Sequence, residues 1–153
     1  MASEFTLYSS LRKYLLNGTI NLESDTLKLA LVTSAYSPNV AHAVLADVMS
    51  SPSPEVVAVA SPDNGYPMGG KALTGQTVTK TDSPSAGKFD ADDVIFTALT
   101  ATFRYGVLYA AVTRNGIEDP LIGYVLYDTT PADITISGLD WINQWSPNGV
   151  ITD

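Results

Sequence analysis

The stretch TLKLALV, Thr26 to Val32, decides the fold class. Leu27, Leu29 and Leu31 alternate with Lys28, Ala30 and Val32, which is the two-residue period of a strand with one strongly apolar face. Ser37-Pro38-Asn39 ends that run. Upstream the period is different. Phe5, Tyr8, Leu11 and Leu15 recur at helical spacing, so one helix is expected over residues 5–16. Ser3 would cap it, with Glu4 in its first turn, and Asn17-Gly18 supplies residues that tolerate a left-handed C-terminal cap.

Downstream the signals are those of short strands and turns. Ala41 to Val48 reads as one or two helical turns, and Glu55 to Ala60 as a short strand after the Pro52 and Pro54 breaks. Thr77 to Thr79 alternates, and two further strands are expected around Val94-Phe96 and Phe103-Tyr109, joined through Ala98 to Thr102. Arg114-Asn115-Gly116 has the Asn-Gly pair of a two-residue hairpin turn, with Leu121 to Tyr127 returning as the partner strand. Ile134 and Ile136 alternate before Trp141 and Trp145. About eight strands separated by regular turn signals predict a mainly β, antiparallel sandwich or barrel, jelly-roll-like, with one N-terminal α-helix. No repeat or interdomain linker interrupts it, so residues 1–153 read as a single structural domain.

Composition narrows the partners. The net charge is −8, with 16 acidic and 8 basic residues, and only Arg12-Lys13 place two cations side by side. Phosphate backbones and anionic membrane surfaces are bound by clustered Lys and Arg, so neither is an expected partner. No apolar run approaches the roughly 20 residues of a membrane-spanning helix. The chain has no cysteine, which excludes disulfides, thiolate nucleophiles and Cys-based zinc sites. Met1-Ala2-Ser3-Glu4 lacks the features of a secretory signal, so synthesis in a cytoplasm is expected.

The residues that carry chemistry form no recognisable machinery. His42 is the only histidine, no Gly-x-Ser-x-Gly elbow accompanies it, and Asp47 five positions on specifies nothing; a structural or solvent-facing role is expected for it. Asp90-Ala91-Asp92-Asp93 is the best metal candidate, but an EF-hand loop fails there, because its sixth position is not glycine and Ala101 stands where the closing glutamate belongs. A solvated turn is the expected reading, while a loop-built calcium site around Asp63, Asn64, Asp82 or Asp90 stays open. Gly69-Gly70-Lys71 is not a P-loop, since the leading glycine and the hydroxyl residue after lysine are missing. Paired carboxylates for glycoside hydrolysis are not singled out by spacing. No enzyme activity, cofactor or metal is expected.

Further runs stand out at Tyr14 to Leu22, Asp25 to Thr33, Tyr36 to Asn39, Gly70 to Thr74 with Thr77 to Thr79, Phe89 to Val94, Pro120 to Val125 and Trp145 to Thr152. They follow one another over most of the chain, and none is a catalytic or cofactor motif. In that order they resemble a family of small virion proteins of tailed phages. The resemblance implies a bacteriophage structural protein, with capsid decoration or cement the favoured role. The implied partner is the major capsid protein on the outer surface of the virion, with the subunit a homo-oligomer, a trimer being favoured, made in the host cytoplasm. A tail, connector or host-binding module is the alternative, and a small hydrolase a third. Ser50 to Pro62 departs from the family pattern and reads as an inserted loop. Tyr8, Tyr14, Trp141 and Trp145 are the candidate contact residues, as large aromatics beside the helix and near the C-terminal end.

Overall fold

Strand Leu27–Val32 forms as expected in the computed structural model, which describes residues 4–50, 53–57, 59, 63–80, 87–128, 130, 132–146 and 149–152. In chain order, β1 covers Glu4–Leu7, α1 Leu11–Leu16, β2 Leu27–Val32 and α2 Leu45–Val48. Next come β3 (Lys71–Ala72), β4 (Thr77–Lys80), β5 (Gly87–Asp90), the long β6 (Val94–Phe103) and β7 (Tyr105–Ala110). A small hairpin of β8 (Thr113–Arg114) and β9 (Ile117–Glu118) precedes β10 (Leu121–Leu126), β11 (Ile134–Asn143) and β12 (Ile151–Thr152).

Five strands make the main sheet, in the order β1-β10-β7-β2-β3, with every pairing antiparallel. β2 runs beside β7 from Leu27 opposite Ala110 to Val32 opposite Tyr105. Alternation then divides the side chains between two faces. Leu27, Leu29, Leu31, Leu108 and Ile122 meet a second layer made by Phe96, Leu99 and Phe103 of β6, Trp141 of β11 and Phe89 of β5. Ala30, Val32, Val107 and Tyr109 face the other way and are covered by Tyr8, Tyr36 and Val48. Burial on both sides explains why β2 is apolar at every position except Lys28. Each fully buried leucine contributes about 1.5–3 kcal/mol. The protein is thus mainly β and antiparallel with sandwich-like layering. No closed barrel occurs among the described residues.

The N-terminal segment departs from the expected helix. Phe5 to Leu7 is extended and pairs with β10, Phe5 opposite Val125 and Leu7 opposite Gly123. Gly123 makes room: a Cβ there would lie 2.6 Å from the Phe5 ring and 2.8 Å from the Thr6 carbonyl. Pairing with the sheet outweighs the local helical period, and the helix starts only at Leu11. Its end is as expected, with Asn17 N–H donating to the Lys13 carbonyl at 3.0 Å and Gly18 at φ +77°. The cap assigned to Ser3 lies outside the described residues.

Two other expectations change. Glu55 makes a single bridge to Val32, and no strand forms among the described residues of 55–60. Ala98 to Thr102 is not a connection but the middle of β6, which pairs with β11 from Val94 opposite Asn143 to Phe103 opposite Ile134. A register shift sits near Leu99, with Ala98 at φ +50° and its N–H donated to the Asp140 carboxylate at 2.8 Å. The Asn-Gly hairpin forms as read, with Asn115 at φ +54° and Gly116 at φ +75°, as a primed turn requires.

Candidate functional site

The four aromatic candidates belong to the core. Tyr8 is 2% exposed, Tyr14 4%, and Trp141 and Trp145 8% each. The Tyr8 and Tyr36 hydroxyls bond at 2.8 Å, and the Tyr14 hydroxyl donates to the Ala43 carbonyl at 3.1 Å. Trp141 stands edge-on between Tyr127 and Phe103, with ring centroids 4.6 and 4.8 Å away. Trp145 donates its indole N–H to the Asp92 carbonyl at 3.1 Å and meets Phe5 edge-to-face. Their contacts are within the chain, so the surface beside the helix is made by other residues.

The ionisable candidates hold turns together. Tyr36 bonds His42 Nδ1 at 3.1 Å, extending the Tyr8 contact into a three-residue chain. The Asp47 carboxylate accepts the Ala43 and Val44 N–H groups at 2.9 and 3.2 Å, which, with a smaller electrostatic contribution from His42, hold its pKa below the usual range. Asp92 accepts the Thr74 hydroxyl at 3.1 Å, Asp93 accepts the Trp145 N–H at 2.9 Å, and Asp90 pairs with Lys88 at 3.4 Å. The acidic run therefore ties together three segments and converges on no common point. Asp63 and Asn64 accept backbone N–H groups in their own turn, while Asp82 lies outside the described residues. No group of three or more metal-ligating side chains gathers among the described residues.

A concavity of about 350 Å³ lies against this acidic turn, beside Gln144 and Trp145, and two others are lined largely by apolar side chains. A cleft of about 570 Å³ lies where β1, β10 and β11 approach, lined by Phe5, Tyr127, Trp141 and Asn143 among others. The Tyr127 hydroxyl and the Asn143 amide nitrogen are buried beside it with no hydrogen-bond partner among the described residues. Burial pushes the Tyr127 phenol well above its ordinary pKa. Both polar atoms are sealed from solvent, so they do not present themselves to a ligand.

The second is a groove of about 360 Å³ between α1, β4 and β5. Leu7, Leu15, Leu16 and Val78 form its walls over a floor that includes Leu11 and Phe89. All four wall residues are exposed, and Leu16 is 88% exposed. Sequence reading placed Leu15 on the buried helix face and did not single out Leu7, Leu16 or Val78. The adjacent pair Leu15-Leu16 was the available signal, because one helix turn cannot bury both against a single neighbour. Comparison with protein-family models, with curated proteins and with solved structures gave no match. Among the described residues, no helix is long and apolar enough to cross a membrane.

Proposed function

We propose that this protein is a structural subunit of a tailed-phage particle, a capsid decoration or cement protein that binds the outer face of the shell. The observation that carries this reading is the exposed leucine wall of α1. A fold that covers its main sheet on both faces still leaves Leu7, Leu15, Leu16 and Val78 in solvent. Concentrated apolar surface of this kind marks a place where another protein docks. The ordered phage-like runs support the same reading. They supply β2, the Gly70 turn, β10 and the loop before β12, which are framework and not chemistry. An acidic subunit outside the shell also avoids contact with packaged DNA.

The test is the copy number in purified particles relative to the major shell protein. A stoichiometry equal to the shell protein, or a fixed simple fraction of it, is expected. A handful of copies per particle would move the protein to the tail or connector.

A further inference from the structure

We infer that Asn17 is a site of covalent self-modification, its side-chain amide converted to a carboxylate after attack by the Gly18 backbone nitrogen, with water as co-reactant. Asn-Gly occurs at Asn17, Asn64, Asn115 and Asn148, the last lying outside the described residues. A glycine after asparagine leaves the peptide nitrogen unshielded by a side chain, so these sites share the same intrinsic chemistry. The fold sets the three described ones apart.

At Asn17 the carbonyl end of the amide is held and aimed. Oδ1 accepts the Thr19 N–H at 3.0 Å and the Thr19 hydroxyl at 2.6 Å. A turn of this kind folds the side chain forward over the following peptide. Asn115 Nδ2 donates to the Thr19 hydroxyl oxygen at 3.0 Å, which commits the hydroxyl proton to Asn17. Thr19 itself is fully buried, and its carbonyl accepts Arg114 Nη1 at 2.9 Å, so both donors are fixed in place. Negative charge develops on Oδ1 as the nitrogen attacks Cγ, and preset donors stabilise that charge more than the neutral amide. Asn17 and Gly18 are exposed, which admits hydroxide and water. Among the described residues nothing lies within 4 Å of a Cβ placed on Gly18, so its peptide has room to turn toward Cγ.

The other two sites lack this arrangement. Asn64 is pinned at both ends, Oδ1 accepting the Val59 N–H at 3.0 Å and Nδ2 donating to the Val57 carbonyl at 2.8 Å. Its glycine is wedged against β6, where a Cβ would overlap the Thr97 carbonyl. Asn115 has its leaving nitrogen tied to Thr19 and no donor on Oδ1 among the described residues.

The step balances as an exchange of water for ammonia. Hydroxide removes the Gly18 amide proton, the nitrogen bonds to Cγ, and the Cγ–Nδ2 bond breaks as Nδ2 takes a proton from water and leaves. Water then opens the cyclic imide at either carbonyl, giving aspartate or isoaspartate. Isoaspartate lengthens the backbone ahead of Thr19, whose carbonyl and hydroxyl receive Arg114 and Asn115, so the modification would loosen the β8–β9 hairpin from the loop after α1.

The experiment incubates the folded full chain at mildly alkaline pH and follows amide-to-acid conversion by peptide mapping, with isoaspartate scored separately. Asn17 should convert roughly fivefold or more faster than Asn64 and Asn115, the rate equivalent of about one hydrogen bond gained in the transition state. In urea the three rates should converge. Thr19→Ser keeps both donors and should keep the Asn17 rate, whereas Thr19→Val should slow it by a similar factor. Should Thr19→Val fail to fold, the native and urea rates of the unmutated chain still decide. Equal rates at the three sites in the native chain, a preference for Asn17 that survives in urea, or an unchanged rate in folded Thr19→Val would each overturn the inference. The conversion is read on the isolated chain, so this inference and the particle reading can fail separately.

Discussion

Arg114 holds Asp25 through two parallel bonds, Nη1 to Oδ2 at 2.8 Å and Nη2 to Oδ1 at 2.9 Å, across 89 residues of sequence. Nη1 also donates to the Thr19 carbonyl at 2.9 Å, and the neighbouring Asn115 amide donates to the Thr19 hydroxyl at 3.0 Å. The β8–β9 hairpin is thereby clamped to the loop that leads from α1 into β2. Asp25 is largely buried, and the Arg114 bond, aided by the Asn21 N–H, holds its carboxyl below the usual range.

A lowered carboxyl pKa gives a defined pH dependence. The clamp's contribution is fully present above the unfolded-state pKa, about 3.9, and is lost as pH falls through the lower folded value. Asp25→Asn should reduce stability near neutral pH and flatten the acid limb of a plot of urea midpoint against pH. Arg114→Lys should behave similarly, because an ammonium cannot reproduce the two-pronged geometry. An unchanged acid limb in Asp25→Asn would rule out this assignment.

The alkaline side has its own signature. Burial is the leading cause that raises Tyr8, Tyr36, Tyr66, Tyr109 and Tyr127, with Tyr109 pushed up to about 12. Groups with raised pKa stabilise the fold below the unfolded phenol value near 10, and that stability drains away as pH rises above it. Ultraviolet titration should show five of the eight phenols resisting ionisation until the chain unfolds. Five reversible ionisations near pH 10 in the folded state would contradict the burial described here.

Gly70 tests the close approach between a turn and β2, an inner strand of the main sheet. It sits at φ +94°, and a Cβ there would overlap the Leu29 carbonyl. Gly70→Ala should therefore destabilise by more than the roughly 1 kcal/mol that a solvent-facing left-handed glycine would cost. Gly116→Ala is the control, since nothing lies within 4 Å of its Cβ position. Leu29→Ala, at a fully buried site facing the main core, should cost about 2–5 kcal/mol. Chemical denaturation of the three variants checks all of these values.

The Tyr8–Tyr36–His42 chain predicts an asymmetry. Tyr36→Phe leaves the buried Tyr8 hydroxyl without its partner, at a cost of about 1–3 kcal/mol. Tyr8→Phe leaves Tyr36 still bonded to His42 and should cost less. The double variant should cost less than the sum of the two, because it removes the orphaned group.

Much of the sheet is legible residue by residue. Leu27 to Val32 and Asn115-Gly116 declare themselves through alternation and a primed turn, both local properties. Phe5 to Leu7 does not, because its conformation is set by β10, more than a hundred residues away in the chain. Ala98 to Thr102 looked like a connection because small residues and threonines carry little periodicity. Its strand character comes from pairing with β11. The burial of Trp141 and Trp145 is hidden in the sequence for the same reason, since the side chains that cover them come from distant strands. The groove was invisible for the converse reason. Leu16 and Val78 come together only in the fold, where α1 and β4 line one groove.

β11 pairs with β6 alone, so one edge of a ten-residue strand carries no neighbour among the described strands. Two register shifts, between Ser137 and Leu139 and between Leu139 and Trp141, interrupt that edge, with Gly138 at φ +67°. Irregularities of this kind bend and twist a strand so that a second strand cannot zip along its full length. That kink guards the free edge against strand-to-strand association. Deleting Gly138 should straighten the edge and raise self-association, read as a larger species in sedimentation.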